Sequence, residues 1–402
     1  MLYKIEIENF GSIADRQILD LSVSSKLDDP DGRYAPIFPG SDIHAPKVIA
    51  IYGANASGKT TVLKALDFVQ HFIWRRQKIP KCPAFAGKEQ DNAPRRFAIE
   101  FGGPLPTYIM DTTPTISYGN FRYELDLTVS LDDESIVVKH ESLSFRLDGK
   151  GKWKRVFQRN ADSSVLGSDL FTVRGYNHLQ ESLPSGESLL AVYAHFKHQD
   201  AISFLARIRS SFSNVEAHSR VTHEAFSNTM YANFSDHSLL ESLNRDLKRI
   251  DTGIEEIRFV EVAGEKRLAF RHSGIETELF WDAESRGTQA FVGLFALLSL
   301  VLKTGQIAIV DEFDTLLHPL ILPEALRWFY DSQRNSKNAQ IFMSCHSATL
   351  LEDLSKEEVV ITEKDGRGRT QVFSLKDVKV RRDDNLYKKY LGGALGGVPV
   401  IG

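Results

Sequence analysis

Gly53-Ala54-Asn55-Ala56-Ser57-Gly58-Lys59-Thr60 satisfies the pattern G-x-x-x-x-G-K-[ST] at every fixed position. In such a loop successive backbone N–H groups face one concavity at the positive end of a helix, which suits a polyphosphate. Lys59 is then placed for the β- and γ-phosphates of ATP and the Thr60 hydroxyl for Mg²⁺, with Thr61 completing the binding set. At average glycine usage a chance match arises in roughly one chain in a hundred of this length. The alternative is a glycine turn in an ordinary α/β crossover.

Three later segments fit the same chemistry. Gln306-Ile307-Ala308-Ile309-Val310-Asp311-Glu312 is an apolar run ending in two acids. Lying beside the loop's strand, it would bring Asp311 to Mg²⁺ and Glu312 to an attacking water, since one carboxylate must hold the metal and another must orient the nucleophile. Gln340-Ile341-Phe342-Met343-Ser344-Cys345-His346-Ser347 is a second apolar run, and His346 would reach the γ-phosphate from the far side of the sheet. Glu284-Ser285-Arg286-Gly287-Thr288-Gln289 precedes an apolar helix, where a hydroxyl, free N–H groups and a helix dipole are offered to an anion. For Ser285 an ordinary N-cap is the simpler alternative. Arg286 either adds charge at a partner's γ-phosphate or faces solvent.

Strand and helix signals place these residues. Residues 48–52 read as a β-rich strand entering the loop, and 61–66 start a helix behind it. Residues 3–7, 19–23, 96–101, 121–127, 136–140 and 143–147 alternate as strands, and Asp148-Gly149-Lys150-Gly151 marks a hairpin that resumes at 153–158. Helical spacing dominates 189–194, 201–206 and 239–250. After residue 254 strands (257–262, 267–271, 307–310, 340–344, 359–363, 372–375) alternate with helices at 288–302 and 320–334. That pattern predicts an α/β fold with a mostly parallel core sheet and an antiparallel β-lobe. We divide the chain into an N-terminal ATPase lobe (1–160), a helical insertion (161–250) and a C-terminal ATPase lobe (251–402).

Bulk composition is that of a globular protein. Its 402 residues are 42% hydrophobic and 25% charged, with a net charge of −4, so no overall basic excess points to nucleic acid. Two cysteines, Cys82 and Cys345, exclude a disulfide framework and suit a reducing cytoplasm. The start of the chain does not read as a signal peptide. The apolar stretch 290–302, broken by Gly293 and Ser299, is too short to span a bilayer, so no membrane association is expected.

The order of these segments resembles the heads of ABC-type ATPases, which include SMC and RecF-like proteins. More closely, the chain is similar to the OLD-like, abortive-infection AAA ATPases of prokaryotes. The resemblance rests on Ile7-Glu8-Asn9-Phe10-Gly11-Ser12, the phosphate loop, Glu284-Ser285-Arg286-Gly287-Thr288 and Asp311-Glu312-Phe313-Asp314 with Leu317-His318-Pro319. It continues through the His346 strand, Glu363-Lys364-Asp365-Gly366 and Asn385-Leu386-Tyr387-Lys388-Lys389-Tyr390-Leu391. It implies a homodimer or higher homo-oligomer with composite ATP sites, in which Ser285 and Gly287 of one chain meet the phosphates held by another. Relatives often carry arginine where Gly11 stands, and an aspartate in many ABC heads is replaced by His318. Gln90 and Glu100 are the candidates for a Q-loop residue, and the tail 392–399 lacks the arginine and aromatic of relatives. No TOPRIM nuclease of the kind found in full OLD proteins is expected after the tail.

The function expected is an ATP-hydrolysing sensor of antiphage (abortive-infection) defence, controlling a separate effector of nuclease type. The alternatives are a RecF- or SMC-like DNA-repair ATPase and an ATP-stapled scaffold with negligible turnover. Contact with DNA or RNA would fall to the ribbon Lys150, Lys152, Lys154, Arg155 and Arg159, or to Trp74-Arg75-Arg76-Gln77-Lys78 with Lys81. Solvated faces are the simpler reading of both. His195 and His198 lack a third ligand for a metal.

Overall fold

The computed structural model describes residues 1–74, 82–85, 93–105, 117–130, 135–147, 150–211, 214–216, 237–249, 253–262, 264–316 and 321–398. Residues 148–149 of the expected hairpin, the patch residues 75–78 and 81, Gln90 and the segment 317–319 lie outside them.

A continuous apolar run can be buried on both faces, and the strand entering the phosphate loop is. In β6 (Val48–Tyr52) every residue is buried; Ile49 and Ile51 face one core, while Val48, Ala50 and Tyr52 face another. β6 belongs to a six-stranded sheet in the order β12 (Asn214–Glu216), β16 (Ile307–Val310), β17 (Gln340–Ser344), β6, β18 (Val359–Lys364), β19 (Thr370–Ser374). Every neighbouring pair is parallel except β18 with β19. The pairing Ser344↔Ile51 and Val310↔Met343 brings the carboxyl ends of β6, β17 and β16 to one edge. In open parallel sheets that edge is where ligands bind.

One expectation is corrected here. The acidic strand β16 does not adjoin β6; the histidine strand β17 lies between them. His346 therefore stands between the phosphate loop and the acids rather than at the far side of the sheet.

The second large sheet is antiparallel, in the order β11 (Val165–Leu166), β10 (Lys154–Asn160), β9 (Ile136–Leu147), β8 (Tyr118–Val129), β7 (Arg95–Pro104), β1 (Leu2–Glu8), β2 (Gln17–Asp20). Two three-stranded sheets complete the strands: β3 (Val23–Ser24), β5 (Ile43–Pro46), β4 (Tyr34–Pro36), and β13 (Ile254–Val262), β14 (Glu265–His272), β15 (Leu279–Phe280). The helices are α1 (Lys59–Trp74), α2 (Asn177–Glu181), α3 (Leu189–His195), α4 (Gln199–Ser211), α5 (His237–Arg249), α6 (Arg286–Thr304), α7 (Phe313–Leu316), α8 (Leu322–Tyr330) and α9 (Leu386–Leu391).

The described residues of 161–250 contribute to both large cores. Leu189, Leu190, Tyr193, Phe204 and Ile208 of α3 and α4 share a core with α1 and the antiparallel sheet. Leu243 and Leu247 of α5 join the opposite core, and β12 extends the parallel sheet. A buried network fixes α3 to the antiparallel sheet. The Glu141 carboxylate accepts from Tyr123 Oη (2.9 Å), Ser188 Oγ (2.9 Å) and Leu189 N (2.9 Å). Arg159, 1% exposed, donates to Glu187 O (2.6 Å) and Pro184 O (2.7 Å). Arg159 therefore leaves the basic ribbon, because its guanidinium is spent on helix-entry carbonyls.

Helix α6 is longer than the sequence suggests. Ser285 caps its start, accepting from Thr288 N (3.1 Å), and Gly305 ends it at φ +75°. Its 19 residues are long and apolar enough to cross a membrane by length and composition. Phe291, Val292, Leu294, Phe295, Leu298 and Val301 are instead buried against β16, β17 and α8 in the second core.

Candidate nucleotide-binding site

Close packing explains both fixed glycines of the phosphate loop. A Cβ on Gly53 would lie 2.3 Å from Thr362 O, and one on Gly58 would lie 2.4 Å from Thr370 Oγ1. Gly58 also sits at φ +117°, which L side chains rarely adopt. Lys59 Nζ donates to Gly53 O (2.8 Å) and Ala54 O (3.2 Å), so the loop's own carbonyls hold the ammonium in its concavity. Burial lowers the Lys59 pKa, against the opposing pull of Asp311 and Asp314. Asn55, Ala56, Ser57, Gly58, Lys59, Thr60 and Thr61 line a cleft of about 750 Å³ together with Ser12, Glu312, Thr315 and His346. Gly53 and Ala54 lie behind it.

Helix α1 starts inside the loop, which lets Thr60 reach over β17. Thr60 Oγ1 donates to Asp311 Oδ2 at 2.9 Å. Ser344 Oγ donates to the other oxygen, Asp311 Oδ1, and accepts from Glu312 N at 2.7 Å. A hydroxyl and a carboxylate so placed fit a magnesium ion, a hard cation with oxygen ligands. Glu312 has φ +54°, an uncommon backbone for a residue with a Cβ, and its side chain is exposed to the cleft. His346 is exposed at the same mouth. Residues 55–61, Asp311, Glu312 and His346 thus meet at one edge.

Several contributors escaped sequence reasoning. Ser12 Oγ lies 3.0 Å from Thr61 Oγ1, and Thr370 N donates to Ser12 O at 2.8 Å. Thr370 Oγ1 is 2.7 Å from Ser57 O and 2.8 Å from Ser12 Oγ, while Ser57 Oγ is 2.6 Å from Thr362 Oγ1. These hydroxyls come from the first turn of the chain and from β18 and β19. Gly11 has its own local reason: at φ +55°, with a would-be Cβ 2.9 Å from Thr61 Cγ2, it lets this turn approach α1. The C-terminal tail braces the loop from behind. Tyr390 packs edge-on to Tyr52 with centroids 5.6 Å apart, its hydroxyl donates to Gly397 O (3.2 Å), and a Cβ on Gly397 would come within 3.3 Å of Gly53 Cα. Ser12 and Tyr390 fall in segments that carry the family resemblance, but no motif gives them, Thr362 or Thr370 a place at the loop.

Ser285 and Gly287 do not line this cleft. The turn is exposed, and Ser285 Oγ is 2.9 Å from Thr288 Oγ1 as well as capping the helix. Behind the turn, buried Glu284 bonds His272 Nε2 at 2.6 Å, and Gln289 Nε2 donates to Trp281 O at 2.7 Å. Arg286 is exposed. Of the Q-loop candidates, Glu100 is occupied elsewhere: it accepts from Tyr3 Oη (2.8 Å) and Arg122 (2.7 Å) within the antiparallel sheet. His198 is a core residue whose Nε2–H donates to Thr172 O (2.6 Å) and whose Nδ1 accepts from Ala201 N (3.1 Å). Lys150, Lys152, Lys154 and Arg155 remain exposed.

The sequence matches the family described as "AAA domain, putative AbiEii toxin, Type IV TA system" over residues 48–352, more than half of the chain. A second family, described as "AAA domain", matches residues 4–75. No curated protein matches the chain.

Proposed function

The chain belongs to this family of AAA domains, and from that premise we propose that it binds and hydrolyses ATP as an ABC-type head. One observation carries the reading: Thr60 Oγ1 meets Asp311 Oδ2 at 2.9 Å at the mouth that Glu312 and His346 share. Thr60 and Asp311 would hold the magnesium ion, which when bound offsets phosphate charge. Lys59 and the loop N–H groups bind the phosphates, Glu312 orients and deprotonates the attacking water, and His346 contacts the γ-phosphate.

Among the described residues that line the cleft, none belongs to a second anion-binding turn, and the exposed turn at Ser285–Gly287 offers one. In this reading a second copy supplies it, so ATP binding is coupled to self-association and hydrolysis to release. The assembly acts in the cytoplasm of a prokaryote as the sensor of an antiphage, abortive-infection system and controls a separate effector of nuclease type. The family's description, which names a toxin of a toxin–antitoxin system, supports that setting. The test is Glu312→Gln: with ATP it should accumulate as an ATP-loaded oligomer by light scattering, with turnover lost. Wild-type turnover would remove Glu312 from this role. Phage plating on a host carrying wild-type or Lys59→Ala genes tests the setting; equal plating speaks against it.

A DNA-stimulated repair ATPase is the second reading, favoured by the exposed Lys150, Lys152, Lys154 and Arg155. It requires ATPase stimulation by DNA that fades steeply with salt.

A further inference from the structure

Resting on the reading of the cleft as an ATP site, we propose that Asp314 is a positioning residue that holds His346 at the reacting phosphate. Asp314 sits in α7, separated from the acid pair by Phe313. Its Oδ2 accepts from His346 N at 2.7 Å and also from Ser347 N. Its Oδ1 is buried and has no hydrogen-bond partner among the described residues. One oxygen thus does the holding, and it holds the backbone on which His346 is mounted.

The reverse tie strengthens the case. Ser344, at the end of the histidine strand, reaches to Asp311 and Glu312 N, while Asp314, on the acid side, reaches back to the histidine turn. A helix of four residues such as α7 has no stability of its own, and the two crossing ties give it a fixed place. Acids and histidine therefore share one frame. Among the described residues the exposed imidazole has no side-chain hydrogen-bond partner, so its position depends on the backbone turn that Asp314 grips. An ångström of displacement at a reacting group costs up to about a hundredfold in rate.

Four variants of the full chain decide the matter: Asp314→Ala, Asp314→Asn, His346→Ala and the Asp314→Ala/His346→Ala pair. Turnover and the affinity of a fluorescent ATP analogue are measured for each. Asp314→Ala should lower kcat roughly tenfold to a hundredfold, as His346→Ala does, with affinity within about threefold of wild type. The double variant should be no slower than the slower single, as expected when one residue acts through the other. Asp314→Asn keeps an oxygen for both N–H groups and should stay within about threefold of wild type, which a charge requirement would not allow. Multiplying losses in the double variant, or wild-type turnover in Asp314→Ala, overturn the proposal while leaving the ATP site intact. Should Asp314→Ala fail to fold, a loss in Asp314→Asn equal to that of His346→Ala overturns it too. Unimpaired turnover in His346→Ala overturns the role of His346 itself, and the proposal with it.

Discussion

The phosphate loop and the serine–glycine turn are both glycine-containing loops that lead into helices, yet they are held in opposite ways. The loop is gripped on all sides: Thr362 and Thr370 on one flank, Ser12 at the helix start, Gly397 and Tyr390 behind. Among the described residues the turn is fixed from behind, by Glu284 with His272 and by Gln289, and it does not line the cleft. A loop that binds phosphate alone needs a preformed concavity. A turn that completes another molecule's site needs a rigid back and a bare front. Under the proposed assembly, this difference separates the half of the site contained in one chain from the half that a second copy would supply.

The largest effects should come from the gripped half. Glu312→Gln should lower turnover by about 10²–10⁴-fold, the usual worth of a positioned general base, with nucleotide binding retained. Lys59→Ala should weaken ATP binding by about a hundredfold or more, since charge-assisted bonds to phosphate are lost; equilibrium binding of a fluorescent analogue measures it. Retained affinity would place the nucleotide elsewhere. The bare half is tested next. Ser285→Arg should bind ATP as wild type does and lose turnover by roughly tenfold, about the worth of one lost hydrogen bond to a charged group. Mixed with Lys59→Ala chains it should regain turnover that neither has alone. No recovery at any mixing ratio would leave the turn without a role in a neighbour's site.

How far the sequence could be read follows the same division between local and long-range order. Consecutive residues such as 53–60, and apolar runs ending in acids or histidine, announce themselves because each signal is contained in one element. Strand order is not contained in any element, so the place of β17 between β6 and β16 carries no signal in the sequence. Helical spacing located α3, α4 and α5, but nothing in it says that α3 and α4 join one core and α5 the other. Ser12, Thr362 and Thr370 are small residues of common type, and only folding brings them from the two ends of the chain to the loop. Arg159 looked like one more basic residue of a ribbon until the carbonyls of 184 and 187 were found around it.

Smaller effects sharpen what the grip is for. Thr370→Val removes the hydroxyl 2.7 Å from Ser57 O and should cost about 1 kcal/mol of stability and a few-fold in ATP affinity. The same change made at the surface should cost nothing, so chemical denaturation with and without ATP separates the two.

The subtlest prediction concerns the proton on Lys59. Burial lowers the pKa of its ammonium before nucleotide arrives, and Asp311 and Asp314 only partly restore it. Phosphate oxygens placed against Nζ would favour the charged form and raise the pKa again. Where the free chain has lost part of this proton, ATP binding must take it up, so affinity falls as pH rises through the lowered pKa of the free state. Below that pKa the lysine is already charged and binding moves no proton through it. Calorimetry of ATP binding across a pH series, in buffers of different ionisation enthalpy, should therefore show proton uptake that grows as pH rises and fades as pH falls. The Ser285→Arg chain should show the same uptake, because the proton belongs to the gripped half alone. Uptake that disappears in that variant would mean the bare turn shapes the phosphate site even before a second copy arrives.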